Sequence, residues 1–189
     1  MIFRRTLILA ALVIAAPLFA ATLGDDGLHK ADWMRETFKD LREDLEEANA
    51  EGKRLLVIIE QRGCIYCTRM HEEVFPTPEI TAALNDMYFV VQINMFGDVE
   101  VTDFDGTTLP EKEMVQRWNA LFTPTMMFFP TEVPEEATAT EAAVAIMPGA
   151  FGRWTTLNLL TWIADEGYLG DESFQRYHAR IIQEQGIIE

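Results

Sequence analysis

The chain contains two cysteines, and they form the spacing Cys64-Ile65-Tyr66-Cys67 directly after the apolar run Leu55-Leu56-Val57-Ile58-Ile59. A buried strand that delivers Cys-x-x-Cys into the first turn of a helix makes one sulfur nucleophilic and puts the other within reach of it. Unpaired N–H groups at a helix start stabilise a thiolate below the free value of about 8.5, so Cys64 is the expected attacking sulfur. Cys67, one turn further in, is the expected resolving thiol, which attacks Cys64 and releases the partner. The loop between the two is too short for a disulfide there to remove much chain entropy, so reactivity explains the pair better than stability does. Ile65 and Tyr66 carry no positive charge, and nothing local argues for a strongly oxidising thiol.

A Cys-x-x-Cys pair can also hold haem or a metal ion. A c-type haem needs histidine directly after the second cysteine, where Thr68 stands. Structural zinc needs four ligands, and no second pair exists beside His29, His71 and His178. Copper held by Cys64, Cys67 and His71 is the remaining metal reading, since soft thiolates select Cu(I). His71, beside Glu72 and Glu73, is expected instead to be a partly exposed helix residue, and no resident metal or other cofactor is assigned. Asp103-Phe104-Asp105-Gly106 matches part of a calcium loop, but Val101 occupies the first ligand position, so a hairpin is expected there.

The elements that position the pair follow from periodicity. Met34, Phe38, Leu41, Leu45 and Ala48 recur at helical spacing, predicting a helix capped by Asp32 and ended by Gly52. Leu55 to Glu60 and Met87 to Asn94 read as buried strands, with a helix from Cys64 to about Glu73 and another restarted at Thr77-Pro78-Glu79. Residues 95–109 are polar and turn-rich, an insertion. Pro110 opens a helix through Trp118, and Thr125 to Phe129 and Ala143 to Met147 read as strands flanking an acidic loop over 131–142. Helices are expected near 154–164 and from about Asp171, the last with Phe174, Tyr177 and Ile181 inward. Trp33, Trp118, Trp154 and Trp162 are read mostly as helix-face core.

This order implies an α/β fold, a central mixed sheet of about four to five strands with helices on both faces and extra N- and C-terminal helices. Residues 31–189 form one domain, with a helical extension over 168–189 and a short polar lead over 21–30. Residues 1–20 place Arg4 and Arg5 before an apolar stretch and small residues, the pattern of a signal peptide cleaved after about Ala20. That stretch falls short of the ~20 apolar residues that cross a bilayer, so no stable membrane insertion is expected after cleavage. The formal charge of -16 becomes -18 without Arg4 and Arg5, which disfavours nucleic acid as a partner.

Cys64 and Cys67 at a strand-to-helix junction, Thr123-Pro124-Thr125 before a later strand, and Pro148-Gly149 after it together resemble the thioredoxin superfamily. With Met70-His71-Glu72-Glu73-Val74, Asp103-Phe104-Asp105-Gly106 and Phe128-Phe129, the string is similar to the SoxW-type periplasmic thioredoxins. The resemblance implies a nucleophile at Cys64, a resolving thiol at Cys67 and a cis Thr123-Pro124 bond whose backbone, with Tyr66 at the rim, receives an extended client peptide. It further implies a thiol:disulfide oxidoreductase in the periplasm, reducing client disulfides and fed by a membrane electron-donor protein. Alternatives are a disulfide oxidase or isomerase, a copper-binding module, or a non-catalytic adaptor. The chain departs from thioredoxin at Ile65-Tyr66, at Gly63 before the first cysteine, and at Ile58 where a buried acid is expected. Glu60, two residues on and so on the same strand face, is the candidate catalytic base for Cys67.

Overall fold

The computed structural model describes residues 21–187. The proposed signal peptide over 1–20 lies outside the described residues.

Eleven residues after Lys30 the chain enters its first long element, α1 (Leu41–Ala50), whose N-cap Asp40 accepts from the N–H groups of Arg42 and Glu43. Before it lie β1 (Thr22–Leu23) and β2 (His29–Lys30), which pair as an antiparallel hairpin, and β3 (Met34–Arg35). The helix predicted from Met34 therefore starts only at Leu41. Met34 and Arg35 instead pair in parallel with Val90 and Val91, and Phe38 is 91 % exposed. Helical periodicity carried the reading past a strand because two residues at an edge leave too short a pattern to register. Gly52, at φ +69, ends the helix region as expected.

The chain continues through β4 (Arg54–Glu60), α2 (Ile65–Arg69), a π-helical turn (Met70–Val74), α3 (Pro78–Met87) and β5 (Tyr88–Asn94). A hairpin of β6 (Glu100–Thr102) and β7 (Thr108–Pro110) occupies the predicted insertion, followed by α4 (Glu111–Arg117) and β8 (Thr125–Phe128). The acidic loop over 131–142 contains an unpredicted turn of helix, α5 (Ala139–Ala142), set by a capping box between Thr138 and Glu141. Then come β9 (Ala145–Pro148), α6 (Arg153–Ala164), a 3-10 turn (Gly167–Leu169) and α7 (Phe174–Gln185).

The main sheet has the order β3-β5-β4-β8-β9, parallel among the first three strands and antiparallel for β8 and β9. Alternation along β4 divides the core in two. Leu56 and Ile58 join Met126, Phe128, Met70, Phe75, Leu84 and Leu160 on the face covered by the redox helix, α3 and α6. Leu55, Val57 and Ile59 join Met127, Leu41, Leu45, Met114 and Trp118 on the face covered by α1 and α4. Each fully buried Leu, Ile, Phe or Met contributes about 1.5–3 kcal/mol, so the two layers hold β4 rigidly under the site it carries. Trp118 and Trp162 are buried as expected, Trp33 is buried in the turn before β3 and not on a helix face, and Trp154 at the start of α6 is only half-buried; Phe174 and Tyr177 of α7 pack half-buried against the first layer.

Candidate functional site

At the carboxyl end of β4, Gly63 takes a φ of +71, a conformation that costs a β-carbon residue energy and turns the chain sharply into α2. This turn makes Cys64 the N-cap of that helix. Its Sγ accepts the Cys67 N–H at 3.0 Å. Cys64 and Cys67 form a disulfide across a Cα–Cα distance of 5.2 Å. Cys64 is 6 % exposed and Cys67 1 %, so the first sulfur is the one an attacking thiolate can approach.

The second strand of the site arrives from far along the chain. Thr123-Pro124 is cis, and the Thr123 carbonyl oxygen lies 3.5 Å from Cys64 Sγ. The Thr123 hydroxyl donates to the same sulfur at 3.3 Å. The Pro124 carbonyl accepts the Gly149 N–H at 2.7 Å, which ties the Pro148-Gly149 turn to this loop. Side chains at Ile65, Tyr66, Leu121 and Phe122 stand exposed around the pair. An exposed apolar rim around a redox pair suits a polypeptide partner.

Beneath the redox helix lies a buried polar cluster. Glu60 is 1 % exposed and His71 2 %, and His71 Nε2 meets Glu60 Oε1 at 3.0 Å. The other carboxylate oxygen accepts from Gln92 Nε2 at 2.6 Å. Gln92 also donates to the His29 carbonyl at 2.8 Å and accepts from Lys30 Nζ at 2.7 Å. The rings of His29 and Trp33 lie parallel to His71, with centroids 4.6 Å and 6.0 Å away. His71 is therefore not the partly exposed helix residue expected from its charged neighbours Glu72 and Glu73. The π-helical turn rotates it inward onto Glu60. A signal for this was available: His71 follows Cys67 by four residues and so shares its helix face. Nothing comparable marked His29, Lys30 and Gln92, which only the hairpin over β5 brings together.

Asp103 is likewise buried. It accepts from Arg117, from Trp118 Nε1 at 2.8 Å and from the Ala139 N–H at 2.8 Å, anchoring α4 and α5 to the insertion. Among the described residues, no group of three or more His, Cys, Asp or Glu side chains is arranged to hold a metal ion. No helix among them is long and apolar enough to cross a membrane.

Residues 41–135 match the family described as thioredoxin-like domain, a span of half the chain. A thioredoxin-fold protein from Helicobacter pylori is similar at 18% identity and TM-score 0.50, over 68% of this chain and 80% of that one. A thioredoxin from Thermus thermophilus is similar at 22% identity and TM-score 0.51, over 68% of this chain and 86% of that one. At such identities the likeness is one of fold. No curated protein matches the chain. The chain belongs to the thioredoxin-like domain family, and its Cys64–Cys67 disulfide is the redox pair of a thiol:disulfide oxidoreductase.

Proposed function

We propose that this protein is an exported reductant of client protein disulfides, of the SoxW type, working by dithiol exchange. The observation that carries the reading is the contact of Cys64 Sγ with both the hydroxyl and the carbonyl of Thr123, at 3.3 and 3.5 Å. A client peptide lying along Thr123 and Pro124 would present its own sulfur in line with Cys64.

In the reduced protein the Cys64 thiolate attacks the client disulfide, one client sulfur leaves as thiolate, and a mixed disulfide forms. Cys67 then gives up its proton, attacks Cys64 Sγ, and the second client sulfur leaves, so the client gains two electrons and the pair becomes the disulfide. Glu60 is the base for Cys67, and Tyr66 and Pro124 shape the client groove. A membrane electron-donor protein restores the dithiol. The pattern over residues 1–20 supports export to the periplasm with cleavage after about Ala20. Residues 31–189 act as one domain, with 95–109 inserted and 168–189 appended.

The test is the reduction potential of the Cys64–Cys67 couple together with insulin reduction by the reduced protein. A value near about -270 mV supports a reductant, whereas one near about -120 mV makes it an oxidant.

A further inference from the structure

The exchange reading requires a proton to leave Cys67, which is buried, and the cluster under the redox helix supplies more than a lone carboxylate. We propose that His71 is a positioning and proton-carrying residue that links Glu60 to solvent, with the N-terminal β1–β2 hairpin forming the wall of its exit. This rests on the exchange reading given above.

Four observations carry it. Cys67 and His71 lie one turn apart on one helix face, and Glu60 lies on the sheet face that this helix covers. His71 Nε2 is on Glu60, while its Nδ1 is buried with no hydrogen-bond partner among the described residues. A buried polar atom of that kind is uncommon and marks a functional constraint. Finally, a cleft of about 630 Å³ lies between the hairpin and the redox helix, lined by Gly27, His29, Arg62, Gly63, Thr68 and His71. An imidazole that holds a carboxylate through one nitrogen, has no partner on the other and lines a cleft can move a proton between the carboxylate and a water admitted from that cleft.

The step balances. As the Cys67 sulfur attacks Cys64 Sγ, its proton passes to the Glu60 carboxylate and the client sulfur leaves as thiolate. His71 starts as the imidazolium with Nε2–H on Glu60; as Glu60 takes the Cys67 proton, the imidazolium gives up its Nδ1 proton to a water entering from the cleft, and the client thiolate takes up a proton from solvent. The charged and titratable groups around the pair are His29 and Lys30 from β2, Asp25 and Lys30's partner Asp26 in the hairpin turn, Glu72 on the same turn, Arg62 before the redox helix, and Asp32 near Trp33. Burial and the neighbouring His71 lower the pKa of His29, against the pull of Glu60 and Glu72.

The test is the reaction of the reduced protein with 5,5′-dithiobis(2-nitrobenzoate) between pH 5 and 9. The first thionitrobenzoate released reports Cys64 and the second reports resolution by Cys67. In His71→Gln the second release is expected to slow about tenfold below pH 7 and to recover toward pH 9, where the thiol ionises unaided. An unchanged pH profile for the second release, or equal slowing of both, overturns the proposal. Should His71→Gln not fold, a proton inventory of the second release in H2O/D2O mixtures with the wild-type protein decides: a curved plot, from more than one proton in motion, supports the relay, and a linear plot overturns it. Absence of the first release would sink the exchange reading itself, and the relay with it.

Discussion

The Thr123 hydroxyl donates to Cys64 Sγ at 3.3 Å, across a sequence distance that only the packing of β8 beside β4 closes. Hydrogen bonds to charged groups contribute more than neutral ones, about 1.5–3 kcal/mol, so this donor stabilises the thiolate more than the thiol. Thr123→Ala is expected to slow iodoacetamide alkylation of Cys64 at pH 7 by roughly tenfold, with Thr123→Ser close to wild type. Equal rates in all three proteins would show that the hydroxyl does not tune the nucleophile.

Loss of the resolving sulfur should arrest exchange halfway. Cys67→Ser is expected to accumulate a covalent adduct with client proteins, visible as a mass increase that dithiothreitol removes. Cys64→Ser should form none, because Cys67 is 1 % exposed. Adducts forming equally on both variants would contradict the assigned order of attack.

Asp44 in α1 is 2 % exposed, and burial, reinforced by Glu47, Asp40 and Glu43 against a hydrogen bond from Thr37, pushes its pKa up from 3.8 to about 7. A carboxyl whose folded pKa is raised favours the native state only while protonated. The unfolded chain ionises first, so this group's contribution to stability falls as pH rises from about 4 to about 7. At about 1.4 kcal/mol per pH unit the loss is capped on the order of 4 kcal/mol. Urea midpoints at pH 4.5 and pH 8 should therefore differ less in Asp44→Asn than in the wild type. A variant with the same pH dependence would place the unfavourable ionisation elsewhere.

Asp103 holds Arg117, Trp118 and the start of α5 at once, with no exposed surface of its own. Truncation would strand the indole and backbone N–H groups and leave the guanidinium without its buried partner. Asp103→Ala is expected to destabilise by about 3–5 kcal/mol, read as a drop in the urea midpoint, while alkylation of Cys64 in the folded fraction stays unchanged. A loss below about 1 kcal/mol would mean the insertion is not pinned through this carboxylate.

Much of the architecture could be read from local patterns. Leu55 to Glu60 and Met87 to Asn94 are mostly apolar runs that fall within a residue of the observed strands, and Thr77-Pro78-Glu79 carries its own start signal, so their types and places followed from periodicity and capping alone. Met34 and Phe38 misled because helical spacing among charges can arise by chance across a two-residue edge strand. Glu60 showed its strand face through alternation, but its burial did not, since a carboxylate at a strand end is ordinarily solvated.

What the amino-acid order determined by itself is the covalent chemistry: two sulfurs at a spacing that closes a small redox ring at the start of a helix, and a proline placed to open a distant strand. What only the tertiary structure decided is the surroundings of that ring. Thr123 reaches Cys64 because β8 pairs antiparallel with β4, and His71 turns inward because Glu60, Gln92 and the β1–β2 hairpin give its ring a polar partner and parallel neighbours. Spacing along a chain limits which residues can share an element. Which elements then share a buried space is set by the packing of two core layers, and no local pattern encodes it.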